Sequence, residues 1–154
     1  MDRILTVEQM TFCEHEAEKY GVSLAQLMDN AAAQLAEVIA SNSSASSKIV
    51  LLIGKGNNGG DGLVAANLLV DQGFKPVVVL CCGEPDTELS SAAYARLDKS
   101  IEVLKAENTL SVIEGADVLV DCIFGTGFHG SLRENILPVF RACEKCNGMK
   151  IACD

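Results

Sequence analysis

A nine-residue stretch, Gly54-Lys55-Gly56-Asn57-Asn58-Gly59-Gly60-Asp61-Gly62, constrains this chain more than any other feature. It follows the apolar run Ile49–Ile53 and precedes a second, Leu63–Val70. Five of its nine residues are glycine, a residue found where backbone turns tightly or comes very close to another group. Strand, glycine loop and helix in that order aim backbone N–H groups and a helix dipole at an anion, commonly a phosphate.

The rest of the chain predicts the sheet in which such a loop works. Thr6-Val7-Glu8-Gln9 and Ser23-Leu24-Ala25-Gln26 are capping boxes that open two N-terminal helices. In the first, Val7, Met10, Cys13, Ala17 and Tyr20 recur at helical spacing until Gly21 stops the run. In the second, Leu24, Leu27, Met28, Ala31, Leu35 and Val38 read as one apolar stripe. After a short Ser/Asn loop the pattern alternates. Strands are predicted at Ile49–Ile53, Lys75–Cys82, Ile101–Leu104, Asp117–Cys122 and Met149–Cys153. Helices are predicted at Asp61–Gln72, Thr87–Lys99, Leu110–Glu114 and Leu132–Cys146, the last with Pro138 near its first turns. The strongest strands are continuous apolar runs, as expected when both faces are covered. The reading is an α/β chain: a three-layer αβα Rossmann-like parallel sheet, two extra N-terminal helices, and one domain over residues 1–154.

Composition narrows the partners. The 154 residues are 49% hydrophobic, enough for one core, and 21 acidic against 12 basic residues leave a net charge of −9. Neither a nucleic acid nor an anionic membrane surface suits that balance, because each needs clustered Lys and Arg. A phosphorylated small molecule remains possible, since backbone donors can hold it. The seven cysteines lie mostly inside apolar runs, among them Cys81, Cys82, Cys122 and Cys153. They read as buried thiols in a reducing, cytoplasmic setting rather than as a disulfide framework. No stretch has the length of apolar sequence that a membrane span needs.

Ligands of such sheets bind beyond the carboxyl ends of the strands, where this sequence gathers its unusual polar residues. Gly54–Asp61 follows the first strand. Asp121 closes the fourth and leads into a second glycine loop, Phe124-Gly125-Thr126-Gly127-Phe128-His129-Gly130-Ser131. Asp154 closes the fifth. Gly54, Gly56 and Gly59 fit a dinucleotide-type G-x-G-x-x-G, yet the next strand ends in Cys81 and Cys82 rather than in a ribose-binding acid. No Gly-Lys-Ser/Thr follows, so a P-loop is excluded. A carboxylate at Asp61 would repel a phosphate unless a cation lay between them or the side chain faced away. Asn58 and Asp121 are oxygen donors at adjacent strand ends, as a hard cation requires; equally, both residue types satisfy turn backbone.

GKGNNGGDGLVAA followed by DVLVDCIFGTGFHGSLR resembles the NAD(P)H-hydrate epimerase family, the YjeF N-terminal domain, and ILTVEQM and LMDNAA are similar to the family's N-terminal helices. The resemblance implies an isomerase that interconverts the R and S epimers of NADHX and NADPHX, hydrated forms of NADH and NADPH. It implies a homodimer, and an ATP- or ADP-dependent dehydratase, in some proteins fused downstream, that completes the repair. It further implies that Asn57, Asn58, Gly59, Gly60 and Asp61 contact substrate. Gly125, Thr126, Gly127, Phe128, His129, Gly130 and Ser131 would form a second substrate loop. Asn58 and Asp121 would ligate potassium, and Asp154 would contact substrate beside the nicotinamide ring; epimerisation needs proton transfer by a positioned group, and the expectation from that chemistry is that Asp154 supplies it. The same domain also occurs in non-catalytic binding or scaffold modules, which is the alternative.

Family members continue beyond the position of Asp154, so the expectation is an incomplete domain whose last strand is an exposed sheet edge. Cys143-Glu144-Lys145-Cys146 lacks a second pair and reads as two helix cysteines rather than a metal site. His15 reads as solvated on a polar face. Asn30 reads as bracing the cleft or packing between helices, and Lys55 as reaching a phosphate or solvated.

Overall fold

The computed structural model describes residues 5–153. Two capped helices come first: α1 (Val7–Lys19) behind Thr6 and α2 (Leu24–Ser41) behind Ser23, each with both bonds of its capping box in place. Then follow β1 (Ile49–Ile53), α3 (Asn57–Asp71), β2 (Val77–Leu80), α4 (Glu88–Ala95), β3 (Glu102–Lys105), α5 (Leu110–Glu114), β4 (Val118–Cys122), α6 (Leu137–Lys145) and β5 (Met149–Ala152). The strands form one all-parallel sheet in the order β3-β2-β1-β4-β5. The expected three-layer αβα architecture is present. β5 pairs only with β4 and is an edge, as the sequence led one to expect.

β1 sits at the centre of this order and is buried along its whole length. Its alternate residues serve different layers. Ile49, Leu51 and Ile53 pack with Ala32, Leu35, Ala36 and Ile39 of α2 and with Leu63, Ala66 and Leu69 of α3. Val50 and Leu52 pack on the other face with Ile113 of α5 and with Val139 and Ala142 of α6. A strand hydrophobic on both faces is what the run IVLLI encodes.

Several elements differ from the sequence reading: α6 begins at Leu137, five residues after its expected start, and α4 ends at Ala95, four residues before its expected end. The buried face of α2 is Met28, Ala32, Leu35, Ala36 and Ile39, whereas Leu24, Ala31 and Val38, three members of the expected stripe, are exposed. Apolar residues ring much of this helix, so periodicity alone could not choose the face. On α1 nothing is buried, and Val7, Met10 and Tyr20 of its stripe are exposed. α3 begins at Asn57, four residues before its expected start, so that Asn57, Asn58, Gly59 and Gly60 are its first turn. Glycine's poor helix propensity disguised that turn; close packing enforces it.

That packing is tight. A Cβ on Gly54 would overlap the carbonyl of Ile123, and one on Gly59 would overlap the carbonyl of Gly54. A Cβ on Gly62 would stand 2.6 Å from Ile53 Cδ1 and 2.8 Å from Cys122 Sγ. None of these glycines has a positive φ, so what matters here is the missing side chain rather than backbone freedom. We expect Gly54→Ala to lower the unfolding free energy by about 3 kcal/mol or more, because backbone must move. Gly127→Ala, at a position with open space around it, should cost well under that. Urea denaturation of the pair is the check, and equal losses would refute the packing account.

Candidate active site

The strand order reverses at β1 and β4: the chain winds outward from β1 to β3, then returns to β4. A crevice opens outside the carboxyl ends of strands at such a switch point, and the two glycine loops leave β1 and β4 there. Between them lies a cleft of about 1290 Å³, larger than the roughly 300–1,000 Å³ of most small-ligand pockets and large enough for a dinucleotide.

The start of α3 supplies one wall. Asn57 and Asn58 line the cleft and so, one helical turn on, does Asp61. Gly59 and Gly60 are buried behind them, Gly60 so close to α2 that a Cβ would stand 2.5 Å from Met28 Cε. The two asparagines also tie neighbouring loops. The Thr87 hydroxyl donates to Asn57 Oδ1 at 2.6 Å, and Ser90 Oγ donates to the Lys55 carbonyl at 2.8 Å. Asn58 Nδ2 donates to the Phe124 carbonyl at 3.0 Å and so joins the first loop to the second.

The second loop supplies the facing wall through Gly125, Thr126, Gly127, Phe128, His129 and Ser131, while Gly130 takes a positive φ of 88° that turns the loop. A turn closed by Phe128 N–H to the Gly125 carbonyl at 3.0 Å, and the Phe124 and Phe128 rings with centroids 4.4 Å apart, give the loop its shape. Asp121 stands behind this wall at the end of β4, where its Oδ1 accepts from the Ile123 N–H at 2.9 Å. Asn58 and Asp121 thus both satisfy loop backbone, and among the described residues no hydrogen bond engages Asn58 Oδ1 or Asp121 Oδ2. Asp154, expected to act on the substrate, lies outside the described residues; Cys153, which precedes it, lines the cleft.

Asp61 carries the chemistry the sequence did not reveal. Burial pushes its carboxyl from the ordinary 3.8 up to about 7, and the negative charge of Glu14 adds to the effect. Glu14 belongs to α1 and lines the same cleft, and its electrostatic influence on Asp61 crosses 47 residues of chain, which no local pattern encodes. An aspartic acid poised near neutrality can donate a proton and take one back at physiological pH.

The cysteines are not so poised. Burial raises Cys81 and Cys143 above the usual thiol range, and Cys122 is raised by its hydrogen bond with Cys153 and then by burial. Cys146 donates weakly to the Ala116 carbonyl at 3.4 Å, as a structural helix cysteine would. Among the described residues no cluster of three His, Cys, Asp or Glu side chains is placed to hold a metal ion, and no helix is long and apolar enough to cross a membrane.

Residues 24–154 match the protein family described as YjeF-related protein N-terminus. A protein of Hyperthermus butylicus named bifunctional NAD(P)H-hydrate repair enzyme Nnr is 31% identical across the whole of this chain, which spans 30% of that relative. The chain likewise spans 28% and 31% of two further bifunctional relatives. A protein of Nitrosopumilus maritimus named NAD(P)H-hydrate epimerase is 34% identical over 97% of this chain and 72% of its own length. The crystal structure of yeast ynu0 superposes with a TM-score of 0.86 at 24% identity, covering 99% of this chain and 70% of that one, and so shares the fold.

Stability should report the state of Asp61. Its folded value lies above its unfolded one, so the native state keeps a proton that the unfolded chain releases between pH 3.8 and about 7. Stability therefore falls as pH rises through that window. Asp61→Asn removes the buried charge: its Tm should exceed the wild type's by a few degrees above pH 7, the two converging toward pH 4. Melting curves across that range decide it, and a difference independent of pH would count against the assignment.

Proposed function

We propose that this chain, which belongs to the family of YjeF-related protein N-termini, is an NAD(P)H-hydrate epimerase that interconverts the R and S forms of NADHX and NADPHX. The observation that carries the reading is the Asp61 carboxyl, held near neutrality on the wall of a dinucleotide-sized cleft. The names and identities of the relatives support the same activity.

The chemistry needs such a group. In the hydrate, the hydroxyl sits on a ring carbon bonded to nitrogen. Protonating that hydroxyl lets it leave as water while the nitrogen lone pair forms a carbon–nitrogen double bond. Water then adds to the opposite face, which inverts the centre, and gives up a proton. Asp61 in its acid form supplies the first proton; the proton from the water on the opposite face goes to a second carboxylate there, and exchange with solvent resets both groups. Asp154, next along the chain from Cys153, would be the second carboxyl at the ring. Asn57, Asn58 and the Gly125–Ser131 loop hold the substrate, the amides of α3 and of the loop facing its phosphates. A cytoplasmic dehydratase, separate or fused, would consume the S form.

The side chains present fit the potassium ion that the resemblance implies. Asn58 and Asp121 offer oxygen, the donor a hard cation prefers, and each keeps one oxygen outside the hydrogen bonds that orient it. When bound, the ion would offset the Asp121 charge near the substrate's phosphates. A homodimer, for which the exposed Val7 and Phe12 of α1 and Tyr20 at its end offer an apolar surface, is read by light scattering.

Two measurements test the reading. Consumption of R-NADHX, followed with an S-specific dehydratase in excess, should accelerate on adding the protein, and Asp61→Asn should slow it about 100-fold. No acceleration by the wild type sinks the epimerase reading and favours a binding module. For the ion, the wild type should melt higher in potassium chloride than in choline chloride, and Asp121→Ala should lose that difference. Equal shifts in both proteins would exclude the site.

A further inference from the structure

Charge is unevenly placed along the cleft. In a chain of net charge −9, the lysine and arginine side chains among its described lining residues are two, Lys55 and Arg133. They come from different segments, one from the end of β1 and one from beyond the second glycine loop. Both line the cleft with Cys82, just beyond β2; burial raises that thiol above its ordinary range, and the charges of Lys55 and Arg133 oppose the rise. Lys55 reaches there across Gly83, where an added Cβ would meet its Cε at 3.4 Å, and Asp86 Oδ2 lies 3.5 Å from its Nζ. The carboxylic acids of the described lining are Glu14 and Asp61, and they interact with each other. The cleft thus has a cationic corner and an acidic one.

Neither cation is needed by the fold. Arg133 is exposed, and the Lys55–Asp86 pair, with side chains 45% and 60% exposed, is a surface ion pair of the kind that adds little stability. What such cations do well is bind phosphate, Arg through a planar fork and Lys as a point charge. The N-terminus of α3 begins at the residue after next from Lys55 and adds its field in the same sense.

We propose that Lys55 and Arg133 form a phosphate subsite beside Cys82, which takes a phosphate group of a bound nucleotide. With the phosphate fixed at that corner, the reduced, uncharged ring of the substrate points toward Asp61. The subsite requires only a phosphorylated ligand; the direction in which the ring points rests on the epimerase reading. Two phosphates could occupy it, the diphosphate bridge common to NADH and NADPH or the 2′-phosphate carried by NADPH alone.

Fluorescence titration with NADH and NADPH in potassium chloride distinguishes these. Lys55→Ala and Arg133→Ala should each weaken binding about tenfold. Arg133→Lys should recover part of the loss, and Lys99→Ala, an exposed lysine outside the cleft, should change nothing. Equal losses for both nucleotides assign the diphosphate, and losses for NADPH alone assign the 2′-phosphate; either result supports the subsite. Unchanged affinity in both alanine variants, an equal loss in Lys99→Ala, or no binding of either nucleotide to the wild type at millimolar concentration overturns it. Tight binding that depends on both cations, without epimerase activity, would retain the subsite and reject the enzyme.

Discussion

The contact on which the rest of this molecule depends is the one between the start of α3 and the ends of β1 and β4. Gly54, Gly59 and Gly62 lack side chains at points where a methyl group would strike the Ile123 backbone, the Gly54 carbonyl, or Ile53 and Cys122. The helix can therefore lie directly on the sheet at its switch point. Everything functional is placed by that approach. Asn58 comes within reach of the second loop, Asp61 is drawn far enough under the surface to lose hydration, and the first turn of α3 faces the crevice rather than solvent. A helix held a few ångströms further out would carry the same residues with ordinary properties.

Much of this was legible in the sequence, and the boundary of legibility is physical. β1 is an unbroken apolar run, β4 is apolar but for Asp121, and the capping boxes at Thr6 and Ser23 are local hydrogen-bond patterns; each declares itself within a few residues. Parallel topology followed from the alternation. What escaped depends on partners distant in the chain. Four glycine and asparagine positions read as loop form a helical turn because tertiary packing overrides propensity there. The inward face of α2 depends on where the sheet lies. The acidity of Asp61 depends on burial and on Glu14 of α1, and the convergence of Lys55 with Arg133 depends on two loops meeting. Motif resemblance located the cleft, but not which of its groups was tuned.

Electrostatics in the cleft and packing beneath it work against each other in a restrained way. Burying a carboxyl without a cationic partner destabilises its charged form, and Asp61 is left in that position while the basic side chains of the described cleft lining, Lys55 and Arg133, come from other segments. Functional sites commonly depart from what stability alone would favour. The asparagines show the opposite economy: Asn57 and Asn58 join loops and line the cleft at once, so positioning the site and bracing the fold are one set of bonds.

The central place of β1 has a consequence for motion. Its backbone amides are hydrogen-bonded within a sheet covered on both sides, so hydrogen exchange there requires opening of the whole structure. β3, which among the described residues pairs with β2 alone and has mostly exposed side chains, can fray without disturbing it. Both glycine loops spring from the slow-exchanging middle strands β1 and β4. Fluctuations at the β3 rim therefore reach the site only weakly, whereas the end of β5 lines the cleft itself, and the two glycine loops can adjust to a ligand while their anchor points stay still.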